Sequence, residues 1–268
     1  MIIKGYSDGP FGQIHWRMLE PEQTPTQPDL YCLHPAPFSG LAYRSIMPFL
    51  ARDRRVIAPD FPGHGGSDSF KPEPSIGEYA RAMIAVVEDL SLEAPVDVTG
   101  FHTGNLVAVE MALENVGHIR KMALVDVPAF DPETRAKFLP TAGKPLNITP
   151  DLSCLEKAWD MGMTKRLESQ GPDRSFEMFV EQLRHGTGMN AAFHAAFSYD
   201  VEDRLPAVTC PSLILASQSG LLEATRRAAG LVPTARLVER LDIKRAVLDE
   251  AAEQTAAEIV RFLDEADR

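Results

Sequence analysis

The stretch Val96-Asp97-Val98-Thr99-Gly100-Phe101-His102-Thr103-Gly104-Asn105 constrains this chain more than any other. An apolar run enters it, two glycines bracket three residues, and a helix-forming run follows. The pattern predicts a buried strand, a tight turn and then a helix from Gly104 to about Asn115. Its centre is a histidine, a residue less penalised at positive φ than bulky or β-branched ones.

Similar units stand on either side of this stretch. Residues 2–4 and 14–19 read as an opening hairpin, with Gly5, Gly9-Pro10 and Gly12 in its turn. Leu30-Tyr31-Cys32-Leu33 is a short apolar strand that runs into His34-Pro35-Ala36-Pro37-Phe38-Ser39-Gly40, where the prolines forbid helix. A helix over Tyr43 to Leu50 and a strand over Arg55 to Pro59 follow. That strand delivers Asp60-Phe61-Pro62-Gly63-His64-Gly65-Gly66-Ser67. Tyr79, Met83, Val86, Val87 and Leu90 have the spacing of a one-sided helix. Lys121 to Asp126 is another strand, ending in a carboxylate.

Strands alternating with helices imply an α/β fold, a mostly parallel doubly wound sheet whose strand C-termini carry the site. From Val127 to Leu205 the alternation stops. Three helices are expected there, near 153–169, 173–185 and 190–199, so residues 127–205 read as an inserted helical cap on a core of 1–126 and 206–268. Phe176, Phe179, Phe193 and Phe197 are expected to face the core, and His185 and His194 to be packing residues. A strand at Pro211 to Ala216, a helix from Leu221, a strand near Ala235 to Val238 and a helix from Val247 to Leu263 complete the core.

The net charge of -11, with no basic block, excludes nucleic acid and anionic membranes as partners. Met1-Ile2-Ile3 is too short for a signal peptide and no apolar run could span a bilayer, so the chain is expected in the cytoplasm, as monomer or homodimer. Cys32, Cys154 and Cys210 lack metal-site spacing and read as free thiols. His34, His102, Asp60 and Asp126 all lie at strand ends. No local ligand spacing supports a metal among them, and no cofactor is expected.

Taken together, the segments 34–40, 60–67 and 100–104 resemble three successive motifs of capped α/β-hydrolases, H-G-x-P, D-x-P-G-x-G-x-S and G-x-S-x-G. The resemblance implies a nucleophile at the third motif, an acid after a later strand and a histidine after the last strand. All three positions differ here. His102 stands at the nucleophile position. Ser217-Gln218-Ser219-Gly220 stands where the acid is usual, and no histidine follows His194.

By the same resemblance the backbone N–H groups of Ala36 and Thr103 would form an oxyanion hole. His34, Ser39 and Phe101 would border the substrate pocket. Asp126 could orient His102 as a dyad or serve as a structural carboxylate, and His34, from its place in the motif, reads first as a loop-stabilising residue beside the oxyanion hole. Asp60 and His64 read as turn-fixing groups. At a helix head the imidazole should be neutral, available as base or nucleophile. The expected function is an enzyme acting on a small, partly apolar acyl or carbonyl compound. Hydrolysis is the default, and lysis, decarboxylation or isomerisation is also compatible. The alternative is a non-catalytic protein of the same fold that binds a hydrophobic ligand or a protein partner. An aspartate-nucleophile halide chemistry has no support, since the elbow carries no carboxylate.

Overall fold

Apolar strand segments that need cover on both faces assemble into one eight-stranded sheet, seen in a computed structural model that describes residues 1–69, 71, 73–91, 94–114 and 117–266. The strands are β1 (Ile3–Gly9), β2 (Gly12–Leu19), β3 (Leu30–Leu33), β4 (Val56–Pro59), β5 (Val96–Phe101), β6 (Ile119–Val125), β7 (Ser212–Ser217) and β8 (Ala235–Arg240). Their order is β1-β2-β4-β3-β5-β6-β7-β8. β1, β2 and β4 pair antiparallel, and all later pairs are parallel. Every residue of β3, β4 and β7 is buried, as strands covered on both faces must be. The chain leaves β3 toward β4 on one side and returns to β5 on the other. The loops after β3 and β5 therefore open side by side at a topological switch point, where such sheets bind ligands.

Helices cover both faces. The short α1 (Met47–Leu50) and the terminal helix pack on one side, and α2 (Ile76–Leu90) and α3 (Thr103–Glu114) pack on the other. A capping box starts α2: Ser75 Oγ accepts from Glu78 N–H and Glu78 accepts from Ser75 N–H. The expected end of α3 at Asn115 lies outside the described residues. Between β6 and β7 the described residues form helices and no strand: α4 (Pro132–Phe138), α5 (Ser153–Trp159), α6 (Leu167–Gln170), α7 (Pro172–Leu183), α8 (Ala191–Ser198) and α9 (Val201–Arg204). Then α10 (Leu222–Leu231) and α11 (Ala252–Leu263) flank β8.

Several expected boundaries move, most of them through contacts with segments distant in the chain. Gly5 is in β1 and not in a turn, because the Trp16 ring lies across it and a Cβ there would meet that ring at 2.3 Å. The helix expected over Tyr43 to Leu50 is a 3₁₀ turn, Gly40–Tyr43, followed by α1, since Pro48 has no N–H to continue a ladder. The helix expected over 153–169 is interrupted by a π-turn, Asp160–Thr164. Gly162 in that turn brings it close against Gln182 and Phe179 of α7. The terminal helix starts at Ala252, not Val247, because residues 243–249 are tied elsewhere: Gln218 N–H donates to Ile243 O and Asp249 accepts from Arg174. Phe176 is exposed, contrary to its expected inward direction, because α7 buries the face carrying Ser175, Met178 and Gln182.

Candidate active site

The turn after β5 is a consequence of close packing at two positions without side chains. A Cβ on Gly104 would sit 1.9 Å from Leu33 O of β3, and one on Gly100 would sit 2.6 Å from Asn105 N. Only glycine lets α3 approach the sheet this closely. His102, between them, takes φ 51°. Asn105 locks the turn to the end of β6. Its Nδ2 donates to Val125 O at 2.7 Å and its Oδ1 accepts from Val125 N–H at 3.0 Å.

Phe101 of β5 is in register with Val125 of β6, which pairs with Leu215 of β7. His102, Asp126 and Ser217 thus emerge close together from neighbouring strand ends. They share a cavity of about 270 Å³ whose wall also includes Ala36, Phe101 and Met178. A cavity of that size suits a small ligand.

The ring of His102 makes no hydrogen bond to the described residues and lies 4.1 Å, centroid to centroid, from that of Phe101. Burial pushes its pKa down to about 4; the charge of Asp126 opposes this and that of Arg166 adds to it. At neutral pH the imidazole is uncharged, with a lone pair available. Asp126, also at positive φ, turns its carboxylate to another partner: it accepts from Ser217 N–H at 2.9 Å and from Ser217 Oγ at 2.6 Å. Asp126 and His102 are brought together without a hydrogen bond between them. The backbone N–H groups of Ala36 and Thr103 donate to no group among the described residues, and Ala36 and the imidazole border the same cavity.

His34 and Ser39 do not line that cavity. His34 is fully buried, its Nε2 accepting from Phe61 N–H at 2.9 Å and its Nδ1 donating to Pro35 O at 3.1 Å. Both nitrogens are used to hold the loops after β3 and β4. Burial pushes its pKa down to about 4. Ser39 Oγ donates to Glu181 of α7 and caps the Gly40–Tyr43 turn. Asp60 is the buried hub of the same loops, accepting from Arg17, Gly40 N–H, His15 and Gly66 N–H at 2.7 to 2.9 Å. Burial works against its charge, but the His15 hydrogen bond and the Arg17 guanidinium hold its carboxyl down at about 2.

His64 donates to Pro62 O, its ring lies tilted at 53° to that of His185 with centroids 4.2 Å apart, and it does not line the His102 cavity. His194 does not reach the cavity either. No three His, Cys, Asp or Glu side chains converge as a metal site among the described residues. Cys32 is buried, Cys154 and Cys210 are partly exposed, and all three are free.

Sequence reasoning missed Ser217 and Arg166. Ser217 was legible as the residue filling the usual acid position. Arg166, the residue preceding α6, sits where the sequence suggested a continuous helix, so no local signal marked it.

A sequence model described as the Alpha/beta hydrolase family matches residues 30–258. The "Magnesium-chelatase 30 kDa subunit" of Rhodobacter capsulatus is 31% identical over 104 residues, 38% of this chain and 36% of that protein. The "2-hydroxymuconate semialdehyde hydrolase" of Pseudomonas sp. (strain CF600) is 32% identical over 88 residues, 31% of this chain and 29% of that one. The matches thus span only about a third of these curated relatives' length. Among solved structures, a hydrolase from Pseudomonas aeruginosa PA01 superposes with a TM-score of 0.80 at 18% identity, covering 98% of both chains. At that identity the likeness is one of fold. No helix among the described residues is long and apolar enough to cross a membrane.

Proposed function

The chain belongs to the alpha/beta hydrolase family, and from that premise we propose an enzyme that transforms a small, partly apolar acyl or carbonyl compound with His102 in place of a serine nucleophile. The observation that carries this reading is the neutral, unbonded imidazole facing a cavity at the strand ends. In the hydrolytic form, His102 takes a proton from water as the water oxygen bonds the acyl carbon. The Ala36 and Thr103 N–H groups stabilise the resulting oxyanion. The imidazolium, favoured by the charge of Asp126, returns the proton to the leaving group as its bond to the acyl carbon breaks. Residues 127–205 act as the cap over a core of 1–126 and 206–268.

The hydrolase name of one partly matched relative supports hydrolysis. Lysis and decarboxylation use the same imidazole and donors. The second reading, a binding protein without turnover, is favoured by one observation: Asp126 is engaged by Ser217 and gives His102 no hydrogen bond. A panel of activated esters and thioesters separates the two. Wild-type turnover that falls at least 100-fold in His102→Ala is the expected result. Full turnover in that variant refutes the catalytic role, and a ligand that raises Tm yet is recovered unchanged establishes the second reading.

A further inference from the structure

We propose that the His102 cavity takes a substrate bearing a carboxylate, bound by the guanidinium of Arg166 beside the reacting group. The inference rests on reading this cavity as the substrate site. It starts from a charge inversion: the chain carries a net charge of -11, yet the cavity is bordered by Lys165, Arg166, Lys244 and Arg245 against only Asp126 and Asp249.

Both acids are committed. Asp126 accepts from Ser217. Asp249 accepts from Ser45 at 2.6 Å, Gln170 at 2.6 Å and Arg174 at 2.9 Å. Two of the cations are committed as well, Lys165 to Asp160 and Arg245 to Glu168. Arg166 differs. Its guanidinium bonds no acid or carbonyl among the described residues, and lies instead over the Phe38 ring, 4.8 Å from its centroid.

An arginine remains charged in proteins, and one drawn out of water without a carboxylate keeps a fork of donors that a carboxylate matches in two parallel hydrogen bonds. The Phe38 face offsets only about 0.5–2 kcal/mol of lost hydration. Burial and the nearby Arg174 both disfavour the charge, and the already shared Asp249 gives partial relief. A ligand carboxylate is the counter-ion this arrangement lacks.

The wall formed by Ala36, Phe38, Ala42, Phe101 and Met178 is apolar, so the carboxylate should sit on a short hydrocarbon chain that ends in the acyl group. The bound anion would also offset the field of Arg166 at His102. The imidazole would become more basic with substrate present than without it.

Calorimetry on His102→Ala protein tests binding without turnover. Monomethyl succinate, glutarate and adipate, each with one carboxylate, are titrated against the corresponding uncharged dimethyl esters. At least one monoester is expected to bind tenfold or more tightly than its diester. Arg166→Gln on the same background is expected to abolish that preference, while Arg166→Lys restores part of it. Equal binding of monoester and diester, binding of neither, or an unchanged preference in Arg166→Gln overturns the proposal. Failure of the catalytic reading would look different: selective carboxylate binding would persist while the wild type turned nothing over.

Discussion

His102 occupies a backbone position that most residues avoid, and its chemistry follows from where that position lies. The imidazole is withdrawn from water and beside Arg166, which lowers its pKa, and beside Asp126, which raises it; burial dominates. If the neutral imidazole is the working form, kcat/KM rises as pH increases through about 4 and is level by pH 6. A pH–rate profile on any accepted substrate checks this. A rising limb centred near 6.5, the value of an unperturbed histidine, would show that another group governs the step. The position and type of this residue were legible from Gly100 and Gly104. The preference of Asp126 for Ser217 was not, because it depends on which side chain β7 places opposite, 91 residues away.

The strand-turn-helix unit works as an element because α3 is pressed against β3. Adding a methyl group at Gly104 forces it onto a backbone carbonyl 1.9 Å away, with no flexible side chain to yield. Gly104→Ala is therefore expected to destabilise by more than about 3 kcal/mol or to prevent soluble folding. Gly230, in α10, has nothing within 4 Å of the same added methyl, and Gly230→Ala should stabilise by about 0.5–1 kcal/mol. Urea unfolding of both variants gives the comparison, and similar effects from the two would contradict the packing account. The helix period in Tyr79, Met83, Val86 and Val87 showed α2 directly, since one buried face leaves a periodic trace. The break between α5 and α6 left none. Its cause is contact with α7, which a reading of neighbouring residues does not contain.

Across the whole molecule, the buried His34 and His64 and the half-buried His102 and His185 tie stability to pH. Burial lowers the pKa of His34, His64, His102 and His185 from 6.5, to about 4 for His34 and His102. An unfolded chain binds protons at these positions around pH 6.5, whereas in the folded chain His34 and His102 resist until about pH 4 and His64 and His185 are also held below 6.5. The stabilisation is thus fully present above pH 6.5 and is lost as pH falls through this window, by up to about 1.4 kcal/mol per pH unit per histidine. Tm measured from pH 7.5 to 4.5 should fall, and a constant Tm would mean that these rings take up protons in the fold as they do in the unfolded chain. The sequence alone determined the order of strands and of the helices outside residues 127–205, the glycine-flanked turn and its central histidine, while α4, α9 and the split of the 153–169 helix were not expected. The legible features depend on backbone sterics and apolar periodicity among near neighbours. Only the tertiary structure decided that Asp126 faces Ser217, that Ser39 bonds Glu181 of α7, and that Arg166 reaches the cavity without a partner. Those pairings join segments far apart in the chain, and sheet register and helix trajectory set them.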